Sequence, residues 1–331
     1  MVRFGVVGTN WISDRFIQAA KDHKSFSLTA VYSRTEERAR AFADRYKVTD
    51  IFTNLEEMAQ SSSLDAVYIA SPNSFHASQA VTFMKHGKHV LCEKPIASNT
   101  RELHHMIQTA RQNQVLLMEA LKSSFLPGFI AIRENLHKIG KIRRTFASYC
   151  QYSSRYDAFK EGQILNAFKP EFSNGSLMDI GIYCIYPMVV LFGKPVHIQA
   201  NAVMLSSGVD GSGSLMMNYG VMEAIAMYSK ISDSYLPAEI QGEEGCMIID
   251  KINQPEKVEI RYRDGRIEDL TQPMDHRDMY YEVKEFIELL EGGQLESKTN
   301  SHENSLTAMA ILEEARKQIG LVFPADLQES I

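Results

Sequence analysis

Cysteine is scarce in this chain, and basic charge is not in excess. Four cysteines (Cys92, Cys150, Cys184, Cys246) stand far apart in 331 residues, with no C-x-x-C spacing. That pattern excludes a disulfide framework or a cysteine zinc site and fits reduced thiols in a cytosolic protein. Net charge is −6, with no run of Lys or Arg, so neither nucleic acid nor an anionic membrane is an expected partner. No apolar run is read as reaching the roughly 20 residues of a bilayer span. The N-terminus lacks the basic-then-apolar pattern of a signal peptide, and the expected location is the cytoplasm. What remains is ordinary globular-enzyme composition, 44% hydrophobic and 23% charged. At this length two domains are expected.

Glycine is short where one would look for it. The stretch GVVGTNWIS, residues 5–13, resembles a dinucleotide turn, G-x-G-x-x-G, with only its first glycine, Gly8. The three glycines of that turn allow the tight bend, the approach of backbone to pyrophosphate, and close helix–strand packing. Asn10 takes the second place, and Asn tolerates positive φ. Ser13 takes the third and is small. The helix behind offers its N–H groups to a phosphate. Gly8, Thr9, Asn10, Trp11 and Ile12 are therefore candidate cofactor contacts. The stretch also reads as a plain strand–helix turn; its βαβ surroundings favour the phosphate loop.

Those surroundings are apolar strands at 2–8, 28–32, 65–70, 89–92 and 115–120, alternating with helical patterns at 12–20, 35–46, 74–86 and 99–113. Uniformly apolar strands between helices indicate a parallel sheet covered on both faces. Beyond residue 122 a helix fits 128–138. Long alternating segments follow at 141–153, 196–206, 213–219, 221–231, 236–241, 245–250, 257–263 and 266–270, as expected of antiparallel pairing. Helices near 277–291 and 303–319 close the chain. The expected division is 1–120 and 121–331, with the last helices free to pack back on the first domain.

The end of the second strand bears on the cofactor. An NAD site places a carboxylate there for the ribose hydroxyls, whereas this chain has Ser33-Arg34-Thr35. Arg34 can clamp a 2′-phosphate with help from Ser33, which points to NADP(H) over NAD(H). The plainer alternative is an arginine lying along a helix start.

Four motifs then occur in order: Gly8-Thr-Asn-Trp-Ile-Ser13, Ser71-Pro-Asn-Ser-Phe-His76, Cys92-Glu-Lys-Pro-Ile-Ala97 and Gly175-Ser-Leu-Met-Asp-Ile-Gly-Ile-Tyr183. The set resembles the Gfo/Idh/MocA oxidoreductases over nearly the whole chain, most closely the NADP-dependent dihydrodiol and D-xylose dehydrogenase branch. The inositol dehydrogenase branch usually has His at the place of Tyr183. The resemblance implies an α/β protein. An N-terminal Rossmann domain with a doubly wound parallel sheet would precede a C-terminal α/β domain with an open, mainly antiparallel sheet, through which members pair as homodimers. It also implies hydride transfer between nicotinamide and a secondary alcohol or hemiacetal carbon of a sugar or small polyol. The alternative from another class is a sensor that binds NADP(H) and sugar without turnover.

The residues support particular roles. Ser71, Pro72 and Asn73 follow an apolar strand, where open α/β sheets bind ligands, and Asn73 either holds a ribose hydroxyl or caps a helix. His76 is read as structural or near the cofactor. Lys94 follows another strand, where its charge stabilises a forming alkoxide and its proton can shuttle. Glu93 binds a ribose hydroxyl or orients Lys94. Ser176-Leu-Met-Asp179 has the pattern of a capping box. Yet Asp179 and Tyr183 are four apart and share a helix face, where a carboxylate and a phenol can meet a polyol together. Lys94, Tyr183 and Asp179 are the catalytic candidates. Pro187 is expected to kink that helix.

Where the dihydrodiol branch has E-A-M-W-T-R-F-F-P, this chain has Glu119-Ala-Leu-Lys-Ser-Ser-Phe-Leu-Pro127. Lys122 thus replaces Trp, favouring an acidic or more hydroxylated substrate or contacting cofactor. Asn166 and Phe168 are weaker pocket candidates. His86, His89, His104 and His105 lack partners at ligand spacing, so no metal is expected.

Overall fold

The computed structural model describes residues 1–327. Two compact units are present, one of residues 1–122 with 276–302, the other of 123–275 with the remainder from 303. The first is built on six parallel strands: β1 (Val2–Val7), β2 (Phe26–Tyr32), β3 (Asp50–Phe52), β4 (Ala66–Ile69), β5 (His89–Glu93) and β6 (Leu117–Ala120). Their order is β3-β2-β1-β4-β5-β6, and every pairing is parallel. The chain reverses its direction of growth between β1 and β4, the topological switch point where such sheets bind ligands. β4 and β6 are buried at every residue, which explains the unbroken apolar run of β4; in β6 the buried Glu119 interrupts it. Helices α1 (Trp11–Ala20), α2 (Glu36–Tyr46), α3 (Leu55–Gln60), α4 (His76–Lys85) and α5 (Thr100–Gln112) join the strands. The three-residue β3 and the α3 that follows it went unseen in the sequence, because neither is long enough to show a period.

The second unit starts with α6 (Pro127–Asn135), β7 (Ile142–Cys150), α7 (Tyr156–Lys160) and α8 (Ile182–Phe192). It continues with β8 (His197–Met204), β9 (Asp210–Asn218), β10 (Glu223–Ser229), β11 (Ala238–Gly242), β12 (Gly245–Ile249), β13 (Val258–Tyr262) and β14 (Ile267–Asp269). The sheet order is β14-β13-β12-β11-β7-β10-β9-β8. All pairs are antiparallel except β7 with β10, which run parallel. Alternation along β9 and β10 buries Leu215, Met217, Ala224, Ala226 and Tyr228 on one face. Tyr228 lies against Gly181, just ahead of α8. Helix α9 (Tyr280–Glu291) belongs to the first unit, where Phe286 meets Phe4 of β1 at 5.7 Å. Helix α10 (His302–Ile319) closes the chain, and Gln318 receives the Ala200 N–H of β8 at 2.8 Å.

One expectation about length fails. The helical run Pro170–Phe192 is long and apolar enough to cross a bilayer, with mean hydropathy 1.6. Most of it, 72% of the apolar window, is buried inside the protein, so its apolarity serves the core.

Candidate active site

The glycine-poor loop departs from the sequence expectation in one respect. Gly8 holds φ +107, and a Cβ there would stand 2.8 Å from the Ala70 carbonyl oxygen. Asn10 instead is extended, φ −98, and does not take the left-handed bend. It acts as the N-cap of α1: its Oδ1 accepts from the N–H groups of Ile12 (3.0 Å) and Ser13 (3.3 Å). Two N–H groups expected to face a phosphate are thereby engaged. Its Nδ2 donates to the Ala70 carbonyl, 2.7 Å away, across to the end of β4. The buried Ser13 donates to Gly8 O at 2.8 Å, the close packing expected of the third position. Trp11 is 57% exposed, with the Arg15 guanidinium over its ring.

Because β2 lies beside β1, the Ser33 hydroxyl comes within 3.5 Å of the Thr9 hydroxyl. Arg34 extends into solvent, and no carboxylate occupies positions 33–35. After β4, Ser71 donates to Gln79 at 2.7 Å, Pro72 precedes a 3-10 turn at Asn73–Phe75, and His76 opens α4. His76 is buried, with Nδ1 2.9 Å from Pro95 O and Nε2 2.9 Å from Ser71 O. It ties the loops after β4 and β5 together. Burial first, then the Lys94 charge, hold its pKa below the usual value.

At the end of β5 the buried Glu93 accepts from the Tyr68 hydroxyl and from the Lys94 N–H (3.2 Å). Burial raises the Glu93 pKa, with Lys94 and Tyr68 opposing. The Lys94–Pro95 peptide is cis, and Ile96 N–H donates to Glu119 at 3.0 Å. Cys92 is fully buried, and burial pushes its thiol well above the usual range, so it is inert packing. Lys122 is ion-paired with Asp278, which also takes Arg15 at 2.7 Å. Burial works against the Asp278 carboxylate, but these two cations keep its pKa low. This triad escaped the sequence reading because its members lie 156 positions or more apart from Asp278.

In the second unit, the capping-box reading of Ser176 and Asp179 fails. Ser176 makes no side-chain cap bond, and Leu177–Gly181 forms a π turn running into α8. Such turns are rare and are frequent at functional sites. The Asp179 carboxylate meets Lys230 at 2.6 Å. Lys230 is 3% exposed, lies 3.5 Å from Ala167 O and sits over the Phe168 ring. Phe168 therefore packs against the ion pair, while Asn166 O accepts from the Asn174 side chain at 3.1 Å. Tyr183 is half-buried and meets Tyr149 edge-on at 5.7 Å. Pro187 lies inside α8. Lys230 was not foreseen, since nothing in its neighbourhood of sequence points to Asp179.

Residues 2–121 match the model for an oxidoreductase family with an NAD-binding Rossmann fold, and residues 132–248 match the GFO/IDH/MocA C-terminal domain. The chain belongs to the Gfo/Idh/MocA oxidoreductases. It is 59% identical to a scyllo-inositol 2-dehydrogenase (NADP+) of Bacillus subtilis (strain 168) over 98% of this chain and 99% of that one. An uncharacterized oxidoreductase of Escherichia coli (strain K12) is 47% identical over the same shares. Mouse trans-1,2-dihydrobenzene-1,2-diol dehydrogenase is 30% identical over 98% and 99%. Among solved structures, the 3-ketoreductase KijD10 of Actinomadura kijaniata, with NADP and TDP-benzene, has the same fold. Its TM-score is 0.83 at 22% identity, covering 96% of this chain and 98% of that one. As a family member the protein is an oxidoreductase.

Proposed function

We propose that the protein is an NADP(H)-dependent dehydrogenase moving a hydride between nicotinamide and a ring CH–OH carbon of a cyclic polyol, with scyllo-inositol the first substrate to try. The observation that carries this reading is the end-to-end 59% identity with the Bacillus enzyme. The residues fit the cofactor. The positive φ of Gly8 and its tight approach to Ala70 leave room only for a bare backbone at the phosphate turn. Arg34 and Ser33 suit a 2′-phosphate where a carboxylate would oppose it. Gly8, Thr9, Asn10, Trp11 and Ile12 would hold the pyrophosphate side, Ser71, Pro72 and Asn73 with Glu93 the ribose side. His76 supports the loops that carry them, and Lys122 supports this region through Asp278.

The bound nicotinamide supplies the hydride acceptor. Lys94 places an ammonium against the oxygen that turns to alkoxide as the C–H bond breaks. Tyr183 exchanges the hydroxyl proton. Asp179, paired with Lys230, accepts a neighbouring ring hydroxyl and orients the polyol. Tyr183 in place of His is compatible with an inositol in this account, since either side chain can pass a proton.

We also assign the open face of the second sheet as a homodimer surface. Register places Phe146, Val203, Met216, Ile225 and Met227 on one face. Met216 and Met227 there are 46% and 41% exposed, more apolar side chain than a lone surface needs.

The test uses Trp11, the single tryptophan, as reporter. Quenching on titration should show NADPH binding more tightly than NADH, with Arg34→Ala removing the difference. NADP+ with scyllo-inositol should give NADPH, and Lys94→Ala should abolish turnover while retaining binding. Turnover unchanged in that variant would refute the assigned chemistry.

A further inference from the structure

Glu282, in the first turn of α9, has no exposed surface, and neither carboxyl oxygen has a hydrogen-bond partner among the described residues. Glu282 and Phe286 are four apart on α9 and share one side of it, and Asp278 lies in the turn just before the helix. Asp278 holds Lys122 and Arg15. Phe286 rests on Phe4, Phe4 on Phe16, and Phe16 stacks on Tyr68 at 3.7 Å. The Tyr68 hydroxyl donates to Glu93. Glu282 thus stands between an ion cluster and the Tyr68–Glu93 pair.

The charges that act on it are Glu93, then Lys122, Asp278 and Arg15. Glu93 in turn feels Lys94 and Lys122. Two carboxyl groups in one dry region do not ionise together. Glu93 has the Tyr68 hydroxyl, the Lys94 N–H and the Lys94 ammonium to hold its charge. Glu282 has no hydrogen bond among the described residues, and an unpaired buried carboxylate is strongly disfavoured. The proton of the pair therefore rests on Glu282.

We propose that Glu282 is a positioning residue for the proton step: a neutral carboxylic acid behind Glu93 that, by keeping or yielding its proton, sets how firmly Glu93 holds Lys94 in the ammonium form. This rests on the reading of Lys94 as the charge that meets substrate. When Glu282 ionises, a second negative charge joins Glu93, and Lys94 holds its proton more tightly.

The test uses the full chain without substrate. Infrared spectra across pH should show the carbonyl stretch of a protonated carboxylic acid at neutral pH, absent in Glu282→Gln. Peptide mass mapping should follow Lys94 acetylation. At alkaline pH, where the wild-type band has vanished, Lys94 of the Gln variant should react about threefold faster or more, half a pKa unit of coupling. Glu93→Gln reads the same coupling from the other side and should shift the band's midpoint to lower pH, because the charge that opposes ionisation of Glu282 is gone. No band at neutral pH, equal Lys94 rates, or an unmoved midpoint would each overturn the proposal. Failure to oxidise any polyol would refute the substrate reading alone and leave these readouts intact.

Discussion

The ion pair between Asp179 and Lys230 is lopsided, and that asymmetry makes a sharp prediction. The Asp179 side chain is 35% exposed, whereas Lys230 is 3% exposed. Removing the carboxylate with Asp179→Ala leaves a buried ammonium with the Ala167 carbonyl, 3.5 Å away, the Phe168 ring and the more distant charge of buried Asp210. Orphaning one member of a buried pair costs about 3–5 kcal/mol. Removing the ammonium with Lys230→Met puts an apolar chain of similar length in the slot and leaves a carboxylate that water can reach, at about 1–2 kcal/mol. Adding Lys230→Met to Asp179→Ala should therefore restore stability, because it deletes the orphaned charge. Urea unfolding of the two single variants and the double variant measures this. If Lys230→Met costs as much as Asp179→Ala, or the double variant is the least stable, the assignment of which charge is buried fails. The result also matters for function: lost turnover in Asp179→Ala counts as lost chemistry only where the variant remains folded.

Two further predictions follow from backbone and burial. Gly8→Ala imposes φ +107 on a side chain and drives its Cβ to 2.8 Å from a backbone oxygen, whereas Gly87→Ala, at φ +72, meets nothing within 4 Å. The first should lose about 2–4 kcal/mol and the second about 1 kcal/mol in chemical unfolding; equal losses would rule out crowding at Ala70. Asp210 is fully buried, and burial raises its pKa from 3.8 to about 6 despite the Leu177 N–H. Between those values the folded state holds a proton that the unfolded chain has released. Stability should thus fall as pH rises through that window, by up to about 1.4 kcal/mol per pH unit. Asp210→Asn should flatten that slope, and an unchanged slope would reject the assignment.

The parallel sheet was legible because its strands are predominantly apolar and its central strand β4 is buried throughout, and the second sheet because its strands alternate. What stayed hidden depends on contacts distant in sequence. Gly8 was readable as the bend, but Asn10 was misread. A residue that tolerates positive φ is also an excellent N-cap, and only the nearness of Ala70 and of the Ile12 and Ser13 N–H groups decides between them. Asp179 was flagged by its four-residue spacing from Tyr183, whereas the structure gives its carboxylate to Lys230. The cap reading beside it failed because a π turn replaces the regular first turn. Lys230, Asp278 and Glu282 could not be seen. Each gains its meaning from a partner on another element, and a single sequence carries no signal for such pairings.

The Asn10 side chain has a kinetic consequence. It clamps the start of α1 on one side and the end of β4 on the other, while Ser13 closes back on Gly8. A loop fastened in this way is preorganised: little conformational freedom remains for a nucleotide to remove, so binding costs less ordering entropy than in a loose glycine-rich turn. Differences in affinity among nucleotides should then appear in how slowly each departs rather than in how fast each arrives.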